Sequence, residues 1–191
     1  MEIEQHPLEP FLPAAARLLM LGSFPPQRKR WSMEFYYPNW NNDMWRIVGL
    51  IFFGDKEHFV VKGKRAFSKE ELIAFLQEKG IALYDTATAV RRLQDNASDK
   101  FLEVVQPTDV RGLLERLPQC RAIVTTGEKA TDTLCRTFSL TAPKVGDFTE
   151  FLFEGRPLRL YRMPSSSRAY PLALDKKAAA YRVMYQDLQM L

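Results

Sequence analysis

Short apolar runs that stop at turn-forming residues recur along the chain and predict the strands of a sheet. The first run ends in Gly22-Ser-Phe-Pro-Pro26, where two prolines turn the strand into a loop. Near the C-terminus, Glu154-Gly155-Arg156 separates two apolar segments and predicts a hairpin whose second arm is a core strand. The four predicted core strands are residues 17–24, 81–86, 121–126 and 157–163.

Segments with helical hydrophobic spacing or helix-capping residues lie between these strands and predict helices. Ser68-Lys-Glu-Glu71 is a capping box, so a helix begins after Ser68, and Gly80 ends it. Thr108 and Asp175 are predicted to cap two further helices. Residues 87–107 are polar and variable, and we expect a loop with short helical turns there. The predicted helices cover residues 43–53, 69–79, 109–117, 128–137 and 175–189.

Strands that alternate with helices favour parallel pairing, with helices on both faces of the sheet. We therefore predict an α/β fold, a three-layer α/β/α sandwich around a central, mostly parallel four-stranded sheet. Residues 1–191 would form it as a single domain. In such sheets, binding sites form beyond the carboxyl ends of the strands. The segments predicted to lie there are residues 22–42, 85–90, 127–129 and 164–170.

The composition narrows the class of function without choosing one. Of the 191 residues, 46% are hydrophobic, and the formal net charge of +4 is compatible with a polyanionic partner. Cys120 and Cys135 cannot build a four-thiolate site, and His6 and His58 lie far apart, so we expect no metal, iron–sulfur cluster or other cofactor. An acidic start and the lack of about 20 consecutive apolar residues predict a cytoplasmic protein that does not span a membrane.

Three motifs lie at the ends of predicted strands. Gly22-Ser-Phe-Pro-Pro26 precedes Phe35-Tyr-Tyr-Pro-Asn-Trp-Asn-Asn-Asp-Met-Trp45, Leu83-Tyr-Asp85 ends the second strand, and Met163-Pro-Ser-Ser-Ser-Arg-Ala169 follows the last. In order, separation and setting they resemble the motifs of the uracil-DNA glycosylase superfamily. The hypoxanthine-DNA glycosylase branch is the most similar, with its Tyr-Tyr-x-Asn-x-x-Asn-x-aromatic-Trp pattern. That pattern is met by Tyr36, Tyr37, Asn39, Asn42 and Trp45, with Met44 in place of the aromatic residue.

The resemblance also shows what this chain lacks. Other branches place Asp, Asn or Glu before the first proline of the Gly-x-x-Pro loop, and some place a histidine before the second-motif proline. Here these positions hold Phe24 and Met163. The resemblance therefore assigns catalysis to Asn42, with Asn39 as the weaker candidate. An asparagine oxygen can hold the attacking water, while dipoles stabilise the cation-like sugar and the leaving base anion. The alternative for Asn42 is an ordinary helix N-cap.

A base-binding pocket is implied by the same resemblance. Gly22, Ser23 and Phe24 would form its floor and one wall, and Tyr37 would stack on the base. Asp85 falls where uracil-specific relatives have Asn. An ionised Asp offers only acceptors, which suits a base that presents N–H groups. Hypoxanthine and xanthine present one at N1, and uracil also has one. The alternatives are that Tyr37 packs on the core and that Asp85 caps the following turn.

DNA contacts are implied for the last motif. Ser165, Ser166 and Ser167 resemble the serines that pinch DNA phosphates, because small hydroxyls and free backbone N–H groups can approach a phosphate closely. Arg168 would follow into the minor groove or onto a phosphate, and Lys129 would reach a phosphate from a helix start. The alternatives are a plain polar turn for the serines and a solvated side chain for Lys129.

The function expected from these motifs is that of a monomeric DNA glycosylase. Its partner would be DNA containing a deaminated base (hypoxanthine, xanthine or uracil), which it would flip out and release. Two alternatives stay open. One is a catalytically inactive DNA- or nucleotide-binding module with the same fold, favoured by Phe24 and Met163. The other is a nucleotide-binding α/β protein unrelated to DNA.

Overall fold

The structure is a computed structural model that describes residues 1–95 and 98–191. Within these residues the chain forms two sheets, five α-helices and two single 3-10 turns, Arg28–Arg30 and Asp99–Phe101. The strands are β1 (Ile3–Gln5), β2 (Leu18–Gly22), β3 (Ile81–Asp85), β4 (Ala87–Arg92), β5 (Leu102–Pro107), β6 (Ala122–Thr126), β7 (Phe148–Phe153) and β8 (Arg156–Met163). The helices are α1 (Met44–Phe53), α2 (Lys69–Lys79), α3 (Val110–Glu115), α4 (Glu128–Phe138) and α5 (Leu174–Asp187).

The central sheet has the strand order β3-β2-β6-β8-β7. The first four of these strands run parallel, and β7 pairs antiparallel with β8 at one edge. Every residue of β2, β3 and β6 is buried, as expected for strands covered on both faces. The predicted α/β/α fold with a mostly parallel sheet is confirmed, and all four predicted core strands are present.

The central sheet has five strands, one more than predicted, because the first arm of the C-terminal hairpin joins it. β7 pairs with β8 along its whole length, from Phe148 opposite Tyr161 to Phe153 opposite Arg156. Within β7, Phe153 alone is fully buried. Partial exposure of the remaining residues is typical of an edge strand that has one face towards solvent.

The prediction of a loop with short helical turns at residues 87–107 is wrong for most of that stretch. β4 and β5 form an antiparallel hairpin, and β1 pairs with β4 to give a second sheet of order β1-β4-β5. Few large apolar side chains mark this sheet: Val90 and Leu102 pack with Phe24 in a cluster separate from the main core. Their small and polar neighbours hide the alternation that would reveal strands in the sequence. Residues 96 and 97 of the predicted loop lie outside the described residues.

The predicted cap of α3 is wrong by one residue. The N-cap is Asp109, whose carboxylate accepts a hydrogen bond from the Gly112 N–H at 3.1 Å. Thr108 instead donates its hydroxyl to the carbonyl of Asp85 at 2.6 Å. This bond ties the start of α3 to the end of β3, and therefore helps to fix the edge of the sheet where a site is expected.

The predicted N-cap is confirmed for α2 and is wrong for α5. The Ser68 hydroxyl accepts a hydrogen bond from the Glu71 N–H at 3.3 Å, and α2 ends at Gly80 with φ +74°, so this prediction is confirmed. α5 begins after Ala173, and Asp175 sits in its first turn and not at the cap. A carboxylate in the first turn still stabilises a helix through its dipole, which explains why the sequence signal was displaced by two residues.

Two findings concern membranes and metals. Within residues 1–95 and 98–191, no helix has the length and apolar character needed to cross a lipid bilayer. In the same part of the chain, no three His, Cys, Asp or Glu side chains are grouped so that they could hold a metal ion. Cys120 and Cys135 are buried free thiols.

Candidate active-site cleft

A cleft of about 690 Å³ opens where β2, β3, β6 and β8 end. All four segments predicted to lie beyond the strand ends contribute to its walls. Among the predicted site residues, Arg168 alone does not line the cleft in the described part of the chain. Its side chain is exposed. The predicted site residues that do line the cleft are Gly22, Ser23, Phe24, Tyr37, Asn39, Asn42, Asp85, Lys129, Ser165, Ser166 and Ser167.

Gly22 forms the floor of the cleft because no side chain fits there. A Cβ atom at this position would lie 2.7 Å from Asp85 Oδ1, 3.4 Å from the Tyr37 hydroxyl and 3.6 Å from Thr126 Oγ1. The first of these distances is too short for a carbon–oxygen contact, so any side chain would displace the Asp85 carboxylate. Three polar groups therefore converge on the end of β2.

Asp85 ends β3, is buried, and is held by a histidine from the N-terminal segment. His6 Nε2 lies 2.7 Å from Asp85 Oδ2. The other ring nitrogen, Nδ1, accepts a hydrogen bond from the Leu8 N–H at 3.1 Å. The proton of the neutral imidazole must therefore be on Nε2, which donates to Asp85. The rings of Phe24 and Tyr84 pack on His6 and shield this bond from water, while Asp85 Oδ1 stays directed at the cleft floor.

Tyr37 is held in an unusual backbone conformation. Its φ is +50°, in a region that bulky residues rarely adopt and that usually persists where a site demands it. Its hydroxyl lies 3.1 Å from Thr126 Oγ1, and its ring packs edge-to-face on Trp45 at 5.7 Å between centroids. Burial raises the pKa of the Tyr37 hydroxyl, so the group is a neutral hydrogen-bonding partner. The ring is a fixed wall of the cleft, and its stacking role stays a prediction.

Phe24 lies between the cleft and the cluster that joins the two sheets. Its side chain is 8% exposed, and its ring meets His6 edge-to-face at 5.2 Å between centroids. The Arg92 guanidinium lies 5.7 Å from the ring centre. Phe24 therefore supplies an apolar wall and anchors the second sheet, but it has no atom that can activate a water molecule.

Asn42 lies one residue before Asp43, the N-cap of α1, so the alternative of an ordinary N-cap at Asn42 is wrong by one residue, and the catalytic role of Asn42 stays a prediction. Its Oδ1 accepts a hydrogen bond from the Met44 N–H at 2.9 Å, at the start of α1, and the residue also lines the cleft. This bond fixes the orientation of the amide: Oδ1 keeps one lone pair, and the NH₂ group is left to donate. Asn39 is engaged more locally, since its Oδ1 accepts from the Asn41 N–H at 3.0 Å.

The serine segment 165–167 lies against the Asn42 loop. Asn42 and Ser167 form an isolated antiparallel bridge, and the Asp43 N–H donates to the Ser166 carbonyl at 2.7 Å. Ser166 is buried, whereas Ser165 and Ser167 are half-buried. The Ser165 and Ser167 hydroxyls accept from the backbone N–H groups two residues later, so each keeps its own O–H to donate to a ligand.

A buried charge network locks these two loops together. The Asp43 carboxylate lies 3.3 Å from Lys177 Nζ and 3.2 Å from Arg168 Nε. Lys177 is fully buried on α5 and also donates to the Ser167 carbonyl at 2.9 Å. Arg168, predicted to contact DNA, thus has an ion-pair partner within the protein. The network positions the backbone of both motif loops.

Comparisons with known proteins agree with this geometry. No model of a protein family matches the chain. A curated protein named hypoxanthine DNA glycosylase, from Methanosarcina acetivorans, is 29% identical over 113 residues, which are 59% of this chain and 65% of that protein. The solution NMR structure of a candidate uracil DNA glycosylase from the same organism has a TM-score of 0.62 at 24% identity, covering 96% of this chain and 99% of that chain. These likenesses support the resemblance to the uracil-DNA glycosylase superfamily that the motifs predict.

Asp99 is one of several cleft residues that lie outside the segments predicted to form the site. Asp99 follows the β4 strand and begins the 3-10 turn before β5, and its half-buried side chain lines the cleft. The Ser23 hydroxyl donates to it, and burial raises the pKa of Asp99 to about 6. No sequence signal pointed to Asp99, because residues 87–107 carried no motif of the uracil-DNA glycosylase superfamily.

Sequence reasoning also missed the residues that position this superfamily's motifs here. His6 was considered only as a possible metal ligand. Thr126 ends an apolar strand, and no motif singled it out as a site residue. The burial of Lys177 could have been predicted from the sequence. Lys177, Tyr181 and Tyr185 are spaced four residues apart, so all three lie on one face of the helix. Both tyrosines are fully buried, and a lysine on such a face needs a buried partner.

Proposed function

We propose that the protein is a DNA glycosylase that hydrolyses the N-glycosidic bond of a deaminated base flipped into the cleft. The observation that carries this proposal is the convergence of Asp85 and Tyr37 on the Gly22 floor of a cleft that Asn42 also lines. A flipped base needs an aromatic face, groups that bond its edge, and close approach of the backbone. The likeness to a curated hypoxanthine DNA glycosylase supports the same function.

Asp85 supports a purine substrate that presents an N–H group. Because His6 donates to Oδ2, the oxygen left for a ligand is Oδ1, which can only accept from a donor when the carboxyl is ionised. Hypoxanthine and xanthine meet this acceptor with N1–H. Uracil has a single matching N–H as well, so the choice among the three bases belongs to experiment.

Asn42 would position the attacking water. The water oxygen bonds to C1′ of the sugar as the bond from C1′ to the base breaks, and no side-chain nucleophile takes part. Since Oδ1 is fixed by the Met44 N–H, its second lone pair and the NH₂ group are preorganised without any cost at the moment of reaction. We therefore propose a monofunctional enzyme, which leaves an intact strand with an abasic site.

The serine segment and Lys129 would hold the DNA backbone. Ser165 and Ser167 keep free O–H donors, and Lys129 lines the same cleft at the start of α4. Such contacts position the strand without reading its sequence. All of these groups come from one chain, so we propose that the protein acts as a monomer.

A second candidate function is lesion binding without catalysis. Phe24 and Met163 cannot activate water or stabilise a base anion, and Asn42 Oδ1 already accepts a hydrogen bond from the Met44 N–H. This candidate predicts tight, lesion-specific binding with no release of base.

The test is excision from duplexes that contain hypoxanthine, xanthine or uracil, followed by alkali to cleave abasic sites. Cleavage above an Asn42→Ala control for at least one lesion supports the proposal, and cleavage without alkali would contradict the monofunctional assignment. Binding without base release for all three lesions would establish the second candidate instead.

A further inference from the structure

Asp99 adds a second carboxyl group to the side of the cleft that Asp85 lines. Its carboxyl accepts a hydrogen bond from the Ser23 hydroxyl, next to the Gly22 floor. Its other charged neighbours come from three elements: Asp85 at the end of β3, Arg92 at the end of β4 and Lys129 at the start of α4. All of them line the cleft. Asn42 and the serine segment belong to the loops beside β8, across β2 and β6 from Asp85.

Hydrolysis of the glycosidic bond also needs a group that stabilises the departing base, and none has been assigned so far. When the glycosidic bond breaks, the electron pair goes to the base, and the departing base must be neutralised or stabilised. Met163 and Phe24, at the positions where relatives carry polar catalysts, can do neither. Two carboxyl groups in different environments within one cleft are the usual arrangement for an acid beside an ionised acceptor. Here Asp85 is bonded to His6, and Asp99 is bonded to a neutral hydroxyl.

A structural role accounts for neither the position nor the partners of Asp99. The 3-10 turn that it begins is capped by Ser98, whose hydroxyl accepts from the Lys100 N–H at 3.4 Å. Among the described residues, no ion pair within 4.0 Å involves Asp99. Burial and repulsion from Asp85 outweigh the hydrogen bond from Ser23 and the attraction of Lys129 and Arg92, so that the pKa of Asp99 lies at about 6.

We propose that Asp99 is the general acid of the excision reaction and protonates a ring nitrogen of the departing purine. The C1′–N bond breaks and its electrons pass to the base, which takes the proton from the Asp99 carboxyl. The oxygen of the water held by Asn42 then bonds to C1′, and the proton that this water loses restores the Asp99 carboxyl. One water is consumed and a neutral base and an abasic sugar result. This inference rests on the proposed glycosylase function.

The test is the single-turnover rate of hypoxanthine excision between pH 5 and pH 9, with enzyme in saturating excess. The acid is active when protonated, so the wild-type rate should be highest below a pH of about 6 and fall about tenfold per pH unit above it. Asp99→Asn should be about 100-fold slower at pH 6 and lose this pH dependence. Asp95→Asn, an exposed carboxylate in the same segment, is the matched control and should keep the wild-type profile.

A second variant separates an acid from a merely structural residue. Lys129 lowers the pKa of Asp99, so Lys129→Gln should move the falling limb of the profile to higher pH. Equal rates for Asp99→Asn and wild type, or a limb that Lys129→Gln does not move, would overturn the assignment of Asp99. Absence of excision by the wild-type protein on all lesions would instead overturn the proposed function, so the two failures are distinguishable.

Discussion

Beside β8, the buried carboxylate of Asp43 bonds only to protein groups, whereas beside β3 the carboxyls of Asp85 and Asp99 face the cleft. We call these the β8 wall (Asn42, Asp43 and the serine segment) and the β3 wall (Asp85, Asp99 and His6). In the β8 wall, charge fixes the backbone of two loops that are far apart in sequence. In the β3 wall, charge remains available to a ligand.

The difference separates positioning from chemistry. The buried Asp43 carboxylate is held in place by three cationic partners, Arg46, Arg168 and Lys177, and loss of a buried partner leaves its charge poorly compensated. A carboxyl held by one neutral hydroxyl or one imidazole instead keeps an oxygen that can bond a ligand. Substitutions in the β8 wall should therefore change stability first, and substitutions in the β3 wall should change selectivity and pH dependence first.

The largest effect is expected for Lys177→Met. It leaves the Asp43 carboxylate buried with Arg168 and without its fully buried partner, at a cost of about 3–5 kcal/mol in the free energy of unfolding. Chemical denaturation measures this loss. Lys176→Met is the control, because Lys176 is exposed on the same helix and should change stability by less than about 0.5 kcal/mol. Equal stability of the two variants would remove the distinction between the walls.

His6→Phe should reduce stability less than Lys177→Met, but it should change the selectivity between bases more. Asp85 loses its fixed hydrogen-bond donor, which costs about 1–3 kcal/mol. The carboxylate can then rotate, so the ratio of excision rates for hypoxanthine and uracil should move towards one. His58→Phe is the matched control, since His58 is exposed and stacks on Phe53. A selectivity ratio that survives in His6→Phe would show that Asp85 does not read the base.

The smallest effect is a pH dependence of stability. Asp99 has a native pKa raised from 3.8 to about 6, so its protonated form contributes stability that is fully present below pH 3.8 and lost as the pH rises through about 6. Asp99→Asn lacks this loss and should gain stability relative to wild type between pH 4 and pH 7. Chemical denaturation of both proteins at pH 4 and pH 7 tests this. The same difference in the free energy of unfolding at both pH values would contradict it.

How much the sequence could predict also differs between the walls. Both motif loops and their strands were predicted, because continuous apolar runs ending in glycine or proline report buried parallel strands. Asn42 was predicted as a cleft residue, whereas its predicted alternative as the N-cap of α1 is wrong by one residue. The partner of these loops, Lys177, was not predicted, since a lysine in a helix is usually solvated.

The β3 wall was predicted only through Asp85. His6 reaches Asp85 by way of β1, a strand of three residues that pairs with a hairpin absent from the prediction. Asp99 depends on that same hairpin. Short strands of small and polar residues bury little apolar surface. They therefore lack the hydrophobic alternation by which a strand is predicted from sequence. Within the β3 wall, His6 and Asp99 were therefore the least predictable residues.

The most direct test of the central claim compares hypoxanthine excision by wild type and Asn42→Ala. Alanine removes both the oxygen that would hold the water and the acceptor of the Met44 N–H, and the lost hydrogen bond should cost about 1 kcal/mol in the free energy of unfolding. If Asn42 holds the attacking water, single-turnover excision by the folded variant should fall about 100-fold with lesion binding unchanged. Excision at the wild-type rate by a folded Asn42→Ala protein would contradict the assignment and leave Asn42 with a structural role alone.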